Sequence, residues 1–173
     1  MGNAPKLCAY SSFIEVSDRM CYNLDTLEEI SINSDIEKIG NEAFDGCINL
    51  KNIDIPNSVT SIGSYAFGRC KSLTEIDIPY GVTSIKNNAF EDCIGLTSIT
   101  LPDSVTSLGE KAFRNCTGLT TITLPNDIKS IGSNPFESCT NLKNIVYHYQ
   151  TYTNLYDLKQ ALQNSGVEID GSI

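Results

Sequence analysis

A solenoid of stacked coils is the fold class that this sequence predicts, and three regularities carry the prediction. Displaced by 23 residues, the sequence falls on itself. Phe44, Phe67, Phe90, Phe113 and Phe136 then share one column, and Cys47, Cys70, Cys93, Cys116 and Cys139 share another. Leu50, Leu73, Leu96, Leu119 and Leu142 form a third, with Pro56, Pro79, Pro102 and Pro125 closing each strand. A repeat of this length cannot bury its own apolar face, so neighbours must stack to build a continuous core. The 173 residues divide into one domain: a degenerate first coil over 1–23, regular coils over 24–147, and a C-terminal cap over 148–173.

In the first coil, Leu7 and Ala9 occupy the columns of Ile53 and Ile55, and Phe13 and Val16 those of Val59 and Ile62. Met20 and Cys21 stand where later coils carry Ala-Phe. Terminal repeats are atypical because one face meets water. From Leu24 the register is firm, with Leu27, Ile30, Ile32, Ile36 and Ile39 in the apolar columns. Each later coil opens with Leu-x-x-Ile-x-Ile/Leu, whose period of two reads as a short strand with one face inward. Proline ends it, since it cannot donate to a neighbouring ladder. Asn57-Ser58, Tyr80-Gly81, Asp103-Ser104 and Asn126-Asp127 supply turn chemistry.

The return side opens with Val59 and Ile62, Val82 and Ile85, and Val105 and Leu108. Gly63, Gly109 and Gly132 follow, which predicts a backbone position with φ > 0. Lys86 breaks that column, so the coil 74–96 is expected to be strained or to turn differently. The Ala-Phe pairs fit one helical turn, Pro135 taking the Ala place at an initial helical position. Asn49, Gly95, Gly118 and Asn141 read as left-handed residues. Beyond Ile145 the register fails. A helix is predicted from Thr153 or Asn154 with Leu155, Leu158 and Leu162 on one stripe and Gly166 as its stop, before a last strand at Val167 and Ile169.

From Leu50 to Cys139 the chain resembles the BspA-type leucine-rich repeat family, whose pattern is roughly L-x-x-I-x-L-P-x-x-V-x-x-I-G-x-x-A-F-x-x-C. With looser copies the match covers about 7–147. The resemblance implies a leucine-rich repeat solenoid of the α/β type, a right-handed coil stack. Parallel strands form one face, short helical turns or loops the other, and a helix-containing cap closes the C-terminal end. It also suggests a surface or secreted protein of host-associated bacteria or protists, used for adhesion or partner binding. Met1 to Lys6 has no apolar h-region, so no secretory signal is read there, and a cytoplasmic location stays open.

Composition excludes several classes. A net charge of -9 without a Lys or Arg block argues against nucleic acid and anionic membrane. No run reaches the roughly 20 apolar residues of a membrane span. Seven cysteines without a CxxC or a nearby His do not read as a zinc site or a disulfide framework. Side chains stacked about 4.8 Å apart and pointing the same way are poorly placed to bridge. They read as small apolar fillers. His148 is the one histidine, so no nucleophile-base set can be assembled, and no phosphate loop or metalloprotease motif occurs. Neither a catalytic residue, a metal nor a cofactor is expected.

Alternation places Glu29, Ser31, Asn52, Asp54, Glu75, Asp77, Ser98, Thr100, Thr121, Thr123 and Asn144 on the outer strand face. Its N-terminal half is acidic and its C-terminal half rich in hydroxyls. Asp54 and Asp77 should stand about 5 Å apart, where like charges repel. The expected function is a non-catalytic module presenting this face to a protein (a host protein among them) or a glycan. The alternative is a structural spacer with no ligand. The acidic half would suit a basic partner or a cation, or serve only as a solvated surface.

Overall fold

The structure, a computed structural model, describes residues 15–173; the expectations at Leu7, Cys8, Ala9 and Phe13 lie outside the described residues. The elements in chain order are β1 (Glu15–Val16), β2 (Glu29–Ser31), β3 (Lys38–Ile39), β4 (Asn52–Asp54), β5 (Ser61–Ile62), β6 (Ser84–Ile85) and β7 (Ser98–Thr100). There follow β8 (Ser107–Leu108), β9 (Thr121–Thr123), β10 (Ser130–Ile131), β11 (Asn144–Tyr147), β12 (Gln150–Tyr152), α1 (Leu155–Asn164) and β13 (Glu168–Ile169). Each regular coil has three sides. The Leu-x-x-Ile strand is one, the short Ser-Ile strand is the second, and the Ala-Phe turn is the third.

The predicted coil stack is present, with a second sheet that the pattern did not announce. The Ser-Ile strands form a parallel seven-stranded ladder, β1-β3-β5-β6-β8-β10-β13. Val16 pairs with Ile39 and Ile39 with Ile62, so the degenerate first coil keeps the register expected for Val16. The longer strands form two separate sheets, β2-β4 and β12-β11-β9-β7.

The Ala-Phe segments are hydrogen-bonded turns, not turns of helix. The residue before each Ala (Glu42, Tyr65, Asn88, Lys111), or before Pro135 in its place (Asn134), has a positive φ, as does the residue before each Cys (Gly46, Arg69, Asp92, Asn115, Ser138). The left-handed positions therefore fall neither at Gly63, Gly109 and Gly132 nor at Asn49, Gly95, Gly118 and Asn141. The glycine column is required by close approach. A Cβ on Gly63 would meet the Gly40 carbonyl carbon at 2.6 Å, and one on Gly109 the Asn87 nitrogen at 2.5 Å. The sequence marks the glycines; only the backbone trace tells which of glycine's two uses applies.

The core is a set of columns. The phenylalanine rings stack with centroids 5.5, 5.4 and 5.3 Å apart from Phe44 to Phe113, and 6.2 Å between Phe113 and Phe136. Each of Phe44, Phe67, Phe90 and Phe113 is wholly buried. On that side the Phe amide of one coil donates to the Ala carbonyl of the next, as in Phe67 to Ala89 (2.9 Å) and Phe90 to Ala112 (2.8 Å). The thiols run beside the rings. Each S–H donates to a carbonyl one coil back: Cys70 to Phe44 (3.2 Å), Cys93 to Phe67 (3.0 Å), Cys116 to Phe90 (3.0 Å), Cys139 to Phe113 (2.9 Å). The six described cysteines are free. Burial pushes the Cys47 thiol up to about 12 and raises those of Cys70 and Cys93 as well.

Coil 74–96 departs from this regularity on two of its three sides. Gly40, Gly63, Gly109 and Gly132 each donate to the Val, Ile or Leu carbonyl one coil back, at 2.7 to 2.9 Å. Among the described residues the Lys86 amide makes no backbone bond of this kind. Lys86 carries a Cβ in the column where one added to Gly63 or Gly109 would meet backbone atoms of the coil beneath at 2.5–2.6 Å. β5 and β6 keep only the Ile62–Ile85 pair, and the Thr83 to Thr60 amide bond stretches to 3.3 Å against 2.9 Å for Thr106 to Thr83. On the strand side, residues 75–77 form no strand and belong to neither sheet. Asp54, which ends β4, and Asp77, expected to repel it, are separated by this loss of pairing: Asp77 lies within the unpaired segment.

The C-terminal cap forms as predicted. Asn154 caps α1 by accepting from the Asp157 amide, Leu158 and Leu162 are buried, and Gly166 (φ 77°) ends the helix. β13 then pairs with β10, Ile131 against Ile169, and extends the seven-stranded ladder.

Candidate binding face

The eleven residues expected on the outer strand face fall into registered rows only in part. β2 and β4 align Glu29 with Asn52 and Ser31 with Asp54. β7, β9 and β11 align Ser98, Thr121 and Asn144 in one row, and Thr100 and Thr123 in the next, where Val146 follows. Thr121 and Thr123 are half-buried between their neighbours and the rest are exposed. Glu75 and Asp77 are exposed but unregistered, because their coil has left the ladder. The face is thus two patches, a short acidic one and a longer one of hydroxyls.

The hydroxyl patch borders a trough of about 370 Å³, lined among others by Thr100, Thr123, Leu101, Leu124, Val146, Tyr80 and Tyr149. Outward-alternation reasoning overlooked the two tyrosines. Their signal was nonetheless in the repeat. The residue after proline is Asn57, Asp103 or Asn126 in three coils but Tyr80 in a fourth, and Tyr149 falls in the same column. Both are exposed, Tyr80 by 71% and Tyr149 by 93%.

Tyr149 stands out for a structural reason. β11 and β12 form an antiparallel hairpin in which Tyr147 pairs with Gln150, leaving His148 and Tyr149 as its two-residue loop. Both have positive φ, 49° and 63°. Such a loop favours Asn-Gly, and a bulky residue in the left-handed region costs about 1–2 kcal/mol. Here the loop is His-Tyr. The His148 ring stacks on Tyr147 at 4.2 Å, and its Nε2 lies 3.0 Å from the Asn126 carbonyl oxygen. Asn126 in turn donates its amide to Asp103 Oδ1 at 2.8 Å. His148 is therefore tied into the end of the stack.

The other sides offer less. The Ser-Ile side carries a polar trench of about 520 Å³ along Gly109 and Gly132, bounded by Lys86 at one end and Glu168 and Asp170 at the other. The turn side satisfies its own charges: Arg69 holds the buried Asp45 by bonds of 2.8 and 2.7 Å, and Arg114 lies 3.0 Å from Glu91 and 3.5 Å from Glu137. Among the described residues no group of three His, Cys, Asp or Glu could hold a metal ion. No described helix is long and apolar enough to cross a membrane.

None of the curated proteins matches the chain in sequence. Among solved structures, it is similar to a leucine-rich repeat protein of T. pallidum, with a TM-score of 0.82 and 28% identity over 98% of this chain and 86% of the other. It is also similar to a leucine-rich cell surface protein of Faecalibacterium prausnitzii, with a TM-score of 0.68 and 34% identity over 70% of this chain and 32% of that one. The pneumococcal vaccine antigen PcpA shares the fold at 19% identity and a TM-score of 0.63, over 84% of this chain and 42% of the other. The BspA-type leucine-rich repeat region matches residues 14–143 in six copies. Fold, coil period and column chemistry agree with that match, and the chain belongs to the BspA-type leucine-rich repeat family.

Proposed function

We propose that this chain is a non-catalytic binding module that presents the outer strand face, and chiefly its C-terminal patch, to a protein partner at a cell surface or outside the cell. The observation that carries this reading is the patch itself. Ser98 with Thr121 and Thr100 with Thr123 stand in register on a stacked ladder, and the second pair borders a trough floored by Leu101 and Leu124. A rigid ladder holds such side chains with little entropy left to lose on binding. The two other sides of each coil are occupied differently, one with internal ion pairs and the other with two-residue strands over a glycine trench. The similarity to a protein described as a leucine-rich cell surface protein supports the location.

The test is an open screen for partners against the chain, followed by affinity measurements on variants. Thr100→Trp with Thr123→Trp should weaken the partner found by tenfold or more, on the order of 1.4 kcal/mol, without a change in melting temperature. Charge reversal at Asp54 and Asp77 should alter association rate and salt dependence if the partner is basic. Lys111→Asn, on the turn side, should leave affinity unchanged. If Lys111→Asn alone weakens the complex, the strand-face assignment fails. A screen that returns no partner favours the spacer.

A further inference from the structure

We propose that the trough between Tyr80 and Tyr149 seats an extended basic segment of the partner protein, two of its cationic side chains lying over the tyrosine rings and an apolar one resting between them on Leu101 and Leu124. This rests on the reading of the strand face as a protein-binding surface and names the chemistry it takes.

Four observations lead here. First, the two tyrosines interrupt a column that elsewhere carries Asn or Asp, and they line one trough. Second, Tyr149 is held at φ 63° in a two-residue hairpin loop where Asn-Gly is the low-strain choice, with its ring 93% exposed. Positive φ recurs at non-glycine residues throughout the stack, so what sets Tyr149 apart is the exposure of its side chain at the tip of the hairpin. Third, the charge is one-sided. Asp103 lies in the same column between the tyrosines, with one carboxylate oxygen engaged by the Asn126 amide. No Lys or Arg lines the trough, and Asp77 is the neighbour of Thr100 in the repeat. A cation over a tyrosine face beside a carboxylate is favoured on both counts.

Fourth, the spacing fits an extended segment. Tyr80 and Tyr149 are three coil steps apart, about 14 Å at the ladder spacing. In a strand, residues i and i+4 share a face and are separated by about 13–14 Å, with i+2 between them on the same face. A sequence of the form basic-x-apolar-x-basic therefore places two cations at the tyrosines and one apolar side chain on the Leu101 and Leu124 floor. That floor also disfavours a sugar. Hydroxyls all round a pyranose ring need partners, and here Asp103 gives one carboxylate oxygen and Asn126 its backbone N–H and carbonyl to the stack.

The experiment is an amide chemical-shift titration of the isotope-labelled chain with three probes: acetyl-Arg-Ser-Leu-Ser-Arg-amide, its Glu-Ser-Leu-Ser-Glu counterpart, and a neutral cello-oligosaccharide. The arginine peptide should shift the amides of Leu101, Leu124, Val146 and Tyr149 saturably, with binding that weakens as salt rises. Tyr80→Ala should weaken it about threefold and removal of both rings about tenfold, the factors expected of exposed cation–π contacts. Tyr149→Gly separates recognition from folding. Glycine suits φ 63°, so this variant should melt no lower than the parent yet bind the peptide as weakly as Tyr80→Ala. Tyr65→Ala on the turn side should bind as the parent does. Equal shifts from the glutamate peptide, shifts from the oligosaccharide alone, or full binding by the tyrosine variants would overturn the proposal. If the arginine peptide leaves the spectrum unchanged while Thr100→Trp and Thr123→Trp still abolish a screened partner, the basic-segment inference falls and the strand-face reading stands.

Discussion

Coils 74–96 and 97–119 have the same columns inside and differ at their edges. In both, the phenylalanine is wholly buried and stacked, Phe90 at 5.4 and 5.3 Å from its neighbours. In both, the cysteine S–H reaches a carbonyl one coil back at 3.0 Å. The turn side is equally intact, with Phe67 to Ala89 at 2.9 Å and Phe90 to Ala112 at 2.8 Å. Yet the coil that carries Lys86 has no longer strand, and its shorter one keeps both pairs with β8 but only one with β5. The difference teaches that register in this stack is held by the core columns and the turn ladder. The sheet bonds follow where sterics allow. The coil in which they are interrupted is the one that carries a Cβ in the glycine column.

The largest effect should come from the shared columns. Phe90→Ala and Phe113→Ala should each cost about 3–5 kcal/mol in denaturant unfolding, the range for truncating a buried phenylalanine. Closely similar costs would place the irregularity of coil 74–96 outside the core. A much smaller cost at Phe90 would break the comparison, since the loosened edge would then have loosened the centre.

Next are the thiols. A native thiol raised by burial keeps its proton where the unfolded chain, at about 8.5, has lost it. The stability this confers is complete below about pH 8.5 and is lost as pH rises through the native value, which for Cys47 is about 12. By pH 10 each such thiol should remove about 2 kcal/mol. Circular dichroism of Cys93→Ala should show a shallower alkaline loss than the parent, since burial raises that thiol. A flat profile in the parent up to pH 10 would show that the column titrates without unfolding.

The smallest effects should lie at the edge, where the coils differ. Gly109→Ala forces a Cβ to within 2.5 Å of the Asn87 nitrogen and should cost about 1–2 kcal/mol, the lower part of the overpacking range. The reverse change, Lys86→Gly, should alter stability by less than about 1 kcal/mol, since relief of the Cβ is offset by the added freedom of the unfolded chain. Its signature is local: hydrogen exchange at the residue 86 amide should slow to the level of the Gly109 amide. Exchange that stays fast would place the cause of the broken ladder elsewhere, with the repulsion of Asp54 and Asp77 as the remaining candidate.

By itself the sequence determined the period, the inward columns, the coil stack, the helix from Asn154 to Gly166 and the identity of the disturbed coil. These rest on local pattern and on chemistry that repeats, so one coil predicts the next. Other features were decided only when the coils met. That Gly63 and Gly109 serve close approach and not a positive φ depends on the backbone one coil below. That Ser-Ile pairs make the longest ladder depends on seven two-residue segments lining up, none of which is a strand alone. That Glu75 and Asp77 leave the outer face's register shows only in the backbone, where residues 75–77 join no sheet. Tyr80 and Tyr149 were visible as breaks in a column, but 69 residues separate them in the chain. Only stacking brings them to one trough, because a solenoid turns a difference of three periods into three coil spacings.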